Sequence, residues 1–165
     1  MWTTSQLKAH PNKMKKKIFT EFVFSGSHDT KIRIWDGNTF ECKCELEGHD
    51  FTIWSLLIHS NGKLYSGSAD GSLREWNVCT ANGGAFGPSR VLFRMPSDMK
   101  IYCLAAYGSS ILSSHYKVIN ITDIRDATVA TTIQAHNDSI WSIKVKDHFL
   151  YSCSDDQTLK VNLSR

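Results

Sequence analysis

A histidine, a serine and an aspartate lie within one short stretch of this chain, and together they suggest hydrolase chemistry. His49, Ser66 and Asp70 form the clearest set. An aspartate can orient an imidazole, which can then take the proton of a serine hydroxyl. The 165-residue sequence, however, contains no Gly-x-Ser-x-Gly turn that would expose the serine beside an oxyanion hole. The residue types therefore suit a catalytic triad, but the surroundings that such a triad needs are missing.

The same residue types return along the chain at nearly constant spacing. The histidine and aspartate positions are His10 with Asp29, His49 with Asp70, and His136 with Asp156, separated by 19, 21 and 20 residues. A catalytic triad occurs once, whereas a set that returns with a fixed period belongs to a structural repeat. We therefore expect a non-enzymatic protein with no catalytic residues and no cofactor.

Short apolar runs and polar turns surround each set, and no amphipathic helix is evident. The runs predict strands at 19–25, 31–35, 40–46, 51–59, 63–66, 72–78, 101–106, 110–113, 117–123, 140–145, 149–152 and 158–163. The glycine-rich segment 81–89 predicts a long loop. Corresponding strands end at Asp36, Asn77, Asp123 and Leu163, with separations of 41, 46 and 40 residues. Four short strands in about 40–45 residues is the spacing of one propeller blade.

Specific motifs accompany this spacing. They are Ser25-Gly26-Ser27-His28-Asp29 with Trp35-Asp36, Gly48-His49 with Trp76-Asn77, and Ala135-His136. On these motifs the chain resembles the WD-repeat β-propeller family over almost its whole length. The resemblance implies an all-β fold of about four blades, each a four-stranded antiparallel sheet, in an incomplete propeller. The repeats are expected at about 7–36, 46–77, 95–123 and 133–163.

The resemblance also implies one hydrogen-bonded polar set in each blade, formed by a histidine, a strand serine, a turn aspartate and a tryptophan. The expected members are His10, Ser25, Asp29 and Trp35; His49, Ser66, Asp70 and Trp76; and His136, Ser152 and Asp156. Asn162 replaces the fourth tryptophan. The third repeat keeps only Ser113, with Ser97 and Thr122 at the histidine and tryptophan positions. Such buried groups are costly unless they satisfy one another, which predicts a structural role.

One face of the array is expected to bind partners. Five residues after each histidine position, the first strand carries an aromatic residue at three places, Trp54, Tyr102 and Trp141. Exposed aromatic residues are common anchors of interfaces. The alternative is that they pack between blades. The predicted rim comprises Trp54, Tyr102, Trp141, Thr52, Lys100, Ser139, His28 and Asp155.

The family resemblance predicts a scaffold that binds a protein or peptide partner. The compact repeats are similar to propellers of RING-finger ubiquitin ligases and alpha-type kinases, so substrate recruitment for such an enzyme is one expectation. An alternative is contact with nucleic acid or phosphoinositide through the basic, irregular segment 11–17. The net charge of +3 lies largely in that segment, and the rest of the chain is nearly balanced in charge. A dedicated nucleic-acid binder is therefore disfavoured. A fragment without independent function is a third alternative.

Cysteine usage and hydropathy bear on the compartment. The five cysteines are scattered, and no signal peptide or membrane-spanning apolar run is apparent. We expect an intracellular protein, cytoplasmic or nuclear, with free thiols. Cys42 and Cys44 share one face of a predicted strand but lack two further ligands at zinc spacing, so no metal site is expected.

The ends of the array raise the question of closure. Residues 3–7 resemble the fourth strand of a blade, and 158–163 is a third strand, so the first segment is expected to complete the last blade. Four repeats are fewer than the six to eight usual for the family. The sequence leaves three alternatives, namely a truncated piece of a larger protein, which it favours, self-association of two copies into an eight-bladed ring, or closure with four blades.

Overall fold

The structure is a computed structural model that describes residues 3–6, 22–78, 87, 89–96 and 99–163, with the backbone alone for 3–6 and 163. These residues form strands and turns and contain no helix. The strands are β1 (Thr3–Gln6), β2 (Phe22–Gly26), β3 (Ile32–Asp36), β4 (Cys42–Leu46), β5 (Ile53–Ile58), β6 (Lys63–Ser68), β7 (Ser72–Asn77), β8 (Arg90–Arg94), β9 (Ile101–Tyr107), β10 (Ser110–His115), β11 (Val118–Asp123), β12 (Thr128–Gln134), β13 (Ile140–Lys146), β14 (Phe149–Ser154) and β15 (Leu159–Leu163).

Consecutive strands pair into four separate antiparallel sheets. The sheet orders are β1-β2-β3-β4, β5-β6-β7-β8, β9-β10-β11-β12 and β13-β14-β15. We call them the first to fourth blades. The predicted all-β fold of propeller blades is confirmed, while the exact repeat boundaries stay a prediction. Because no described segment is an apolar helix, none of these residues forms a helix able to cross a membrane.

Tight polar turns connect the strands inside each blade. In the turn between β6 and β7, a carboxylate oxygen of Asp70 accepts the backbone N–H of Ser72 at 2.7 Å. Gly71 between them has a φ of 75°, which glycine adopts without strain. This Asx-type turn lets the two strands pair at once, and it holds the Asp70 carboxylate at one end of the blade.

The hydrophobic core lies between blades. Phe24 and Ile34 of the first blade pack with Ile53 and Leu56 of the second. The approach is so close that a Cβ atom on Gly26 would lie 2.6 Å from Cγ2 of Ile53. Equivalent clusters lie between the second and third blades and between the third and fourth. The blades therefore stack face to face, with their first strands β1, β5, β9 and β13 as neighbours.

The expectation that residues 3–7 complete the last blade is wrong. Strand β1 pairs with β2, with Thr3 opposite Gly26, so it is the first strand of the first blade. Within the described residues the fourth blade has three strands. The segment is short and polar, so its sequence suits either position, and the pairing edge offered by β2 is nearer along the chain.

Other differences concern individual strands. β8 and β12 lack a matching strand among those predicted, because each is an outer strand with mostly exposed residues. β4 begins at Cys42 and not at residue 40, since Phe40 has a φ of 57° and its N–H donates to the Asp36 carbonyl at 2.8 Å in a turn. His10, Ser97 and the basic segment 11–17 lie outside the described residues.

Candidate functional site

The second blade contains a continuous polar set of four side chains. His49 Nδ1 lies 2.9 Å from Oδ2 of Asp70, and His49 Nε2 lies 2.6 Å from Oγ of Ser66. The indole N–H of Trp76 donates to the same Ser66 oxygen at 2.8 Å. A single arrangement satisfies every group: Trp76 donates to Ser66, Ser66 donates to His49 Nε2, and His49 Nδ1–H donates to Asp70.

The Asp70 carboxylate is the acceptor at the end of this chain of hydrogen bonds. It also accepts the hydroxyl of Ser72 at 2.6 Å and the backbone N–H of Asp50 at 3.0 Å. Burial raises the pKa of Asp70, but the hydrogen bonds from His49 and Ser72 outweigh it and hold the pKa well below its usual range. The set therefore joins the turn of Asp70 to the loop that precedes β5.

The fourth blade repeats this geometry without the indole. His136 Nδ1 lies 2.9 Å from Oδ2 of Asp156, and His136 Nε2 lies 2.8 Å from Oγ of Ser152. Thr158 donates to Asp156 at 2.6 Å, as Ser72 donates to its aspartate. Hydrogen bonds from Thr158 and from a backbone N–H lower the pKa of Asp156. The predicted members of this set are brought together.

The first blade shows half of the set within the described residues. The indole N–H of Trp35 donates to Ser25 Oγ at 2.9 Å. Asp29 instead forms an ion pair with Arg33, with 2.7 Å between carboxylate oxygen and guanidinium nitrogen. The turn aspartate is thus held by a charge on its own hairpin, and the predicted partner His10 lies outside the described residues.

The third blade corrects the sequence interpretation that it keeps only Ser113. His115 Nε2 lies 2.8 Å from Ser113 Oγ, so a histidine on β10 itself faces the serine. Strand alternation was the available signal, because residues i and i+2 share a face. His115 is fully buried, its Nδ1 has no partner among the described residues, and burial lowers its pKa to about 4.

Burial makes these sets unsuited to catalysis. Ser66 and Ser152 are buried and their hydroxyls are engaged by imidazoles, with Ser66 also receiving an indole N–H. A substrate carbonyl would need an open path to the serine oxygen and separate donors for its oxyanion. The geometry fits a structural role that fixes each turn to its blade, and this role stays a prediction.

The predicted rim aromatics form a row across three blades. The ring centroids of Trp54 and Tyr102 are 6.3 Å apart, and those of Tyr102 and Trp141 are 4.8 Å apart, both tilted. Trp54 and Tyr102 are half-buried, while Trp141 is 49% exposed. The two interpretations of these residues are therefore compatible, since the rings pack between blades and still present one edge to solvent.

A β-bulge positions each aromatic residue of the row. The pairing register shifts between Ile53 and Ser55, between Ser114 and His115 opposite β9, and between Ile140 and Ser142. In each case the extra residue of the first strand is the aromatic one. A bulged residue has no opposite partner, and the local kink turns its side chain out of the regular alternation. The sequence pattern located the residues but not this cause.

The polar members of the predicted rim precede these aromatic residues by two positions or lie in the turns between the second and third strands of a blade. Lys100, His28 and Asp155 are exposed. The pKa of Tyr102 is raised by burial and, to a smaller extent, by the nearby Asp155 and Tyr116. Thr52 and Ser139 contribute backbone carbonyls that accept the N–H groups of Ala69 and Asp155 at 2.8 and 3.0 Å.

Two residues of this region were missed by the sequence interpretation. Tyr116 is 48% exposed, and the Lys117 ammonium lies 4.9 Å from the centre of its ring. Both lie in the turn between β10 and β11, the position equivalent to the turns of Asp70 and Asp156. This turn has no aspartate, so it did not match the motif that identified the other turns.

In the part of the chain that the structure describes, no three His, Cys, Asp or Glu side chains are grouped to hold a metal ion. Cys42, Cys44, Cys103 and Cys153 are free thiols. Burial raises the pKa of the Cys44 thiol, which makes it less reactive at neutral pH.

Comparisons with known proteins agree with this architecture. A family model described as "WD domain, G-beta repeat" matches residues 4–36, 40–77 and 127–161, more than half of the chain. The crystal structure of the computationally designed Ika4 protein superposes with a TM-score of 0.70 at 24% identity, covering 86% of this chain and 84% of that one. The structural likeness supports the fold alone.

Curated relatives are longer proteins. An uncharacterized WD repeat-containing protein of Schizosaccharomyces pombe is 38% identical over 93 residues, 55% of this chain and 24% of that protein. Mitochondrial division protein 1 of Aspergillus terreus is 27% identical over 94% of this chain and 23% of its own length. The p21-activated protein kinase-interacting protein 1-like of Gallus gallus is 27% identical over 86% of this chain and 37% of its own. The chain thus spans less than two fifths of each of these relatives.

Proposed function

Because the chain belongs to the WD-repeat family, we propose that it is a protein-interaction platform that binds its partner through the rim. WD repeats in general serve as non-catalytic scaffolds for protein binding. The observation that carries the proposal is the continuous row of Trp54, Tyr102 and Trp141, whose rings touch across three blades and remain partly exposed.

Physical properties of the row support a binding role. Trp and Tyr offer large contact areas and lose little side-chain freedom when they bind, and they are enriched among the residues that dominate interfaces. Here each ring is already held by its neighbour, so binding would order it little further. The exposed charges of Lys100 and Asp155 at the edge of the row provide the polar border that interface centres usually have.

Within this function we propose an extended peptide segment as the bound element, presented by a substrate that this chain recruits for a ubiquitin ligase or kinase. A row that crosses three blades is long and narrow, which suits an extended chain better than a bulky surface. The chicken relative is named as a protein that interacts with p21-activated protein kinase, which supports this class of partner. The free thiols of the described cysteines support an intracellular location.

The test is a partner comparison between matched variants. The wild-type chain, Trp141→Ala and Trp54→Ala would be used for proximity labelling in cells, followed by binding measurements with the purified partner. We expect each alanine variant to weaken binding by about 10-fold or more, the usual effect of removing an interface anchor. Unchanged binding by both variants would contradict the rim as the binding face.

Phe40→Ala is the matched control. Phe40 is also an exposed aromatic residue, but it lies in the turn between β3 and β4, at the opposite end of the blade from the row. Its removal should leave partner binding unchanged. Thermal unfolding of all three variants would separate a loss of the interface from a loss of the folded structure.

A further inference from the structure

The fourth blade exposes the face that every other blade buries. Leu159 lies opposite Cys153 in the ladder, as Leu73 lies opposite Gly67 and Ile119 opposite Ser114. Leu73 and Ile119 are 0% exposed because the following blade covers them, whereas Leu159 is 67% exposed.

The next position on the same face shows the same difference. Val161 lies opposite Tyr151, as Ile34 lies opposite Phe24 in the first blade. Ile34 is 0% exposed and Val161 is 49% exposed. Alternation places Leu159, Val161 and Tyr151 together on one side of the sheet, while Leu150 on the other side packs against the third blade. The open face thus has the apolar composition of an interface between blades.

The first blade has the complementary open face. In the second blade, Leu64 and Trp76 cover the first blade and are 0% and 1% exposed. The same ladder positions in the first blade are Val23 and Trp35, and both are only half-buried. Among the described residues, no blade covers this face of the fourth blade, and the covering positions of the first blade pack on no other blade.

We propose that two copies of this chain form an eight-bladed ring, in which the first blade of each copy packs on the fourth blade of the other. The contact would continue the three interfaces inside the chain, which use these ladder positions each time. It is a head-to-tail contact, which closes into a ring when the rotation per subunit allows it. Eight blades lie within the range known for propellers. This inference is independent of the rim proposal.

Size-exclusion chromatography with light scattering, and native mass spectrometry, test the proposal on the 165-residue chain. We expect a discrete dimer. Leu159→Glu should raise the dimer dissociation constant by about 100-fold or more, because it places an unpaired charge in both interfaces. Val161→Glu is a second variant on the same exposed face, where folding of the monomer is little affected. Phe40→Glu, at an exposed position away from both open faces, should remain dimeric.

Mixing two variants distinguishes the head-to-tail contact from other assemblies. Val23→Glu should also be monomeric, with circular dichroism and the milder Val23→Thr used to verify that it folds. An equimolar mixture of Val23→Glu and Leu159→Glu should form a heterodimer, since one interface would then be free of both substitutions. A monomeric wild type, a polymer without a fixed size, or a dimer unaffected by substitutions at both Val23 and Leu159 would overturn the proposal. Dissociation by Leu159→Glu without recovery in the mixture would also overturn it.

Discussion

Replacing Ser66 by alanine tests the role of the polar set most directly. The Ser66 hydroxyl accepts from Trp76 Nε1 at 2.8 Å and contacts His49 Nε2 at 2.6 Å, and all three side chains are buried. The substitution leaves one buried donor and one buried acceptor without a partner. Each such group costs about 1–3 kcal/mol, so we expect a loss of about 2–6 kcal/mol in the free energy of unfolding.

The fourth blade provides the matched comparison. Ser152 contacts His136 in the same way at 2.8 Å, but Asn162 stands in place of the tryptophan. Ser152→Ala therefore leaves only one group unsatisfied, and we expect a loss of about 1–3 kcal/mol. The difference between the two variants isolates the contribution of the indole hydrogen bond.

Urea unfolding monitored by circular dichroism and by tryptophan fluorescence would measure both losses, and coincident transitions would show that one cooperative step is observed. A double-mutant cycle of Ser66→Ala with Trp76→Phe should give a coupling of about 1–2 kcal/mol, since the two substitutions remove the same hydrogen bond. Equal losses for Ser66→Ala and Ser152→Ala, or no coupling in the cycle, would refute the assignment of this hydrogen bond.

Three further outcomes are expected. Because the pKa of Asp70 is lowered from 3.8 in the folded chain, its contribution to stability is complete above about pH 4 and declines as the pH falls; Asp70→Asn should flatten this acid decline in urea titrations. Burial lowers the pKa of His115 from 6.5 to about 4, so the free energy of unfolding should fall by on the order of 3 kcal/mol as the pH drops through that window. His115→Gln should abolish this loss in pH-dependent melts. Gly26→Ala should lower the free energy of unfolding by about 1–3 kcal/mol, because its Cβ would meet Ile53.

The sequence was most informative where the same side chains meet in more than one repeat, as they do in the second and fourth blades. The family resemblance carried by His49, Ser66 and Asp70 implied contacts that the structure shows at 2.6–2.9 Å. Such groups have few alternatives, since a buried imidazole or carboxylate must find a complement nearby. Repetition of the set then argued against the catalytic interpretation more strongly than any one residue could.

The features that escaped prediction depend on pairing between strands. The position of β1 beside β2 is set by which sheet edge is available, and a short polar strand carries little information about that choice. His115 replaces a histidine that elsewhere precedes the blade, so a search at the usual spacing could not find it. The outer strands β8 and β12 are mostly exposed and lack the apolar pattern that identifies a buried strand.

The bulges that carry Trp54, Tyr102 and Trp141 separate two demands on the first strand of each blade. Ile53, Ser55 and their equivalents keep the ladder in register, whereas the register skips the extra residue. A change of side chain at the extra position would therefore alter the surface of the proposed binding face and leave the alternation of the strand intact. The surface of the rim can therefore vary at these positions without a shift in strand pairing, although the rings of Trp54 and Tyr102 also pack between blades.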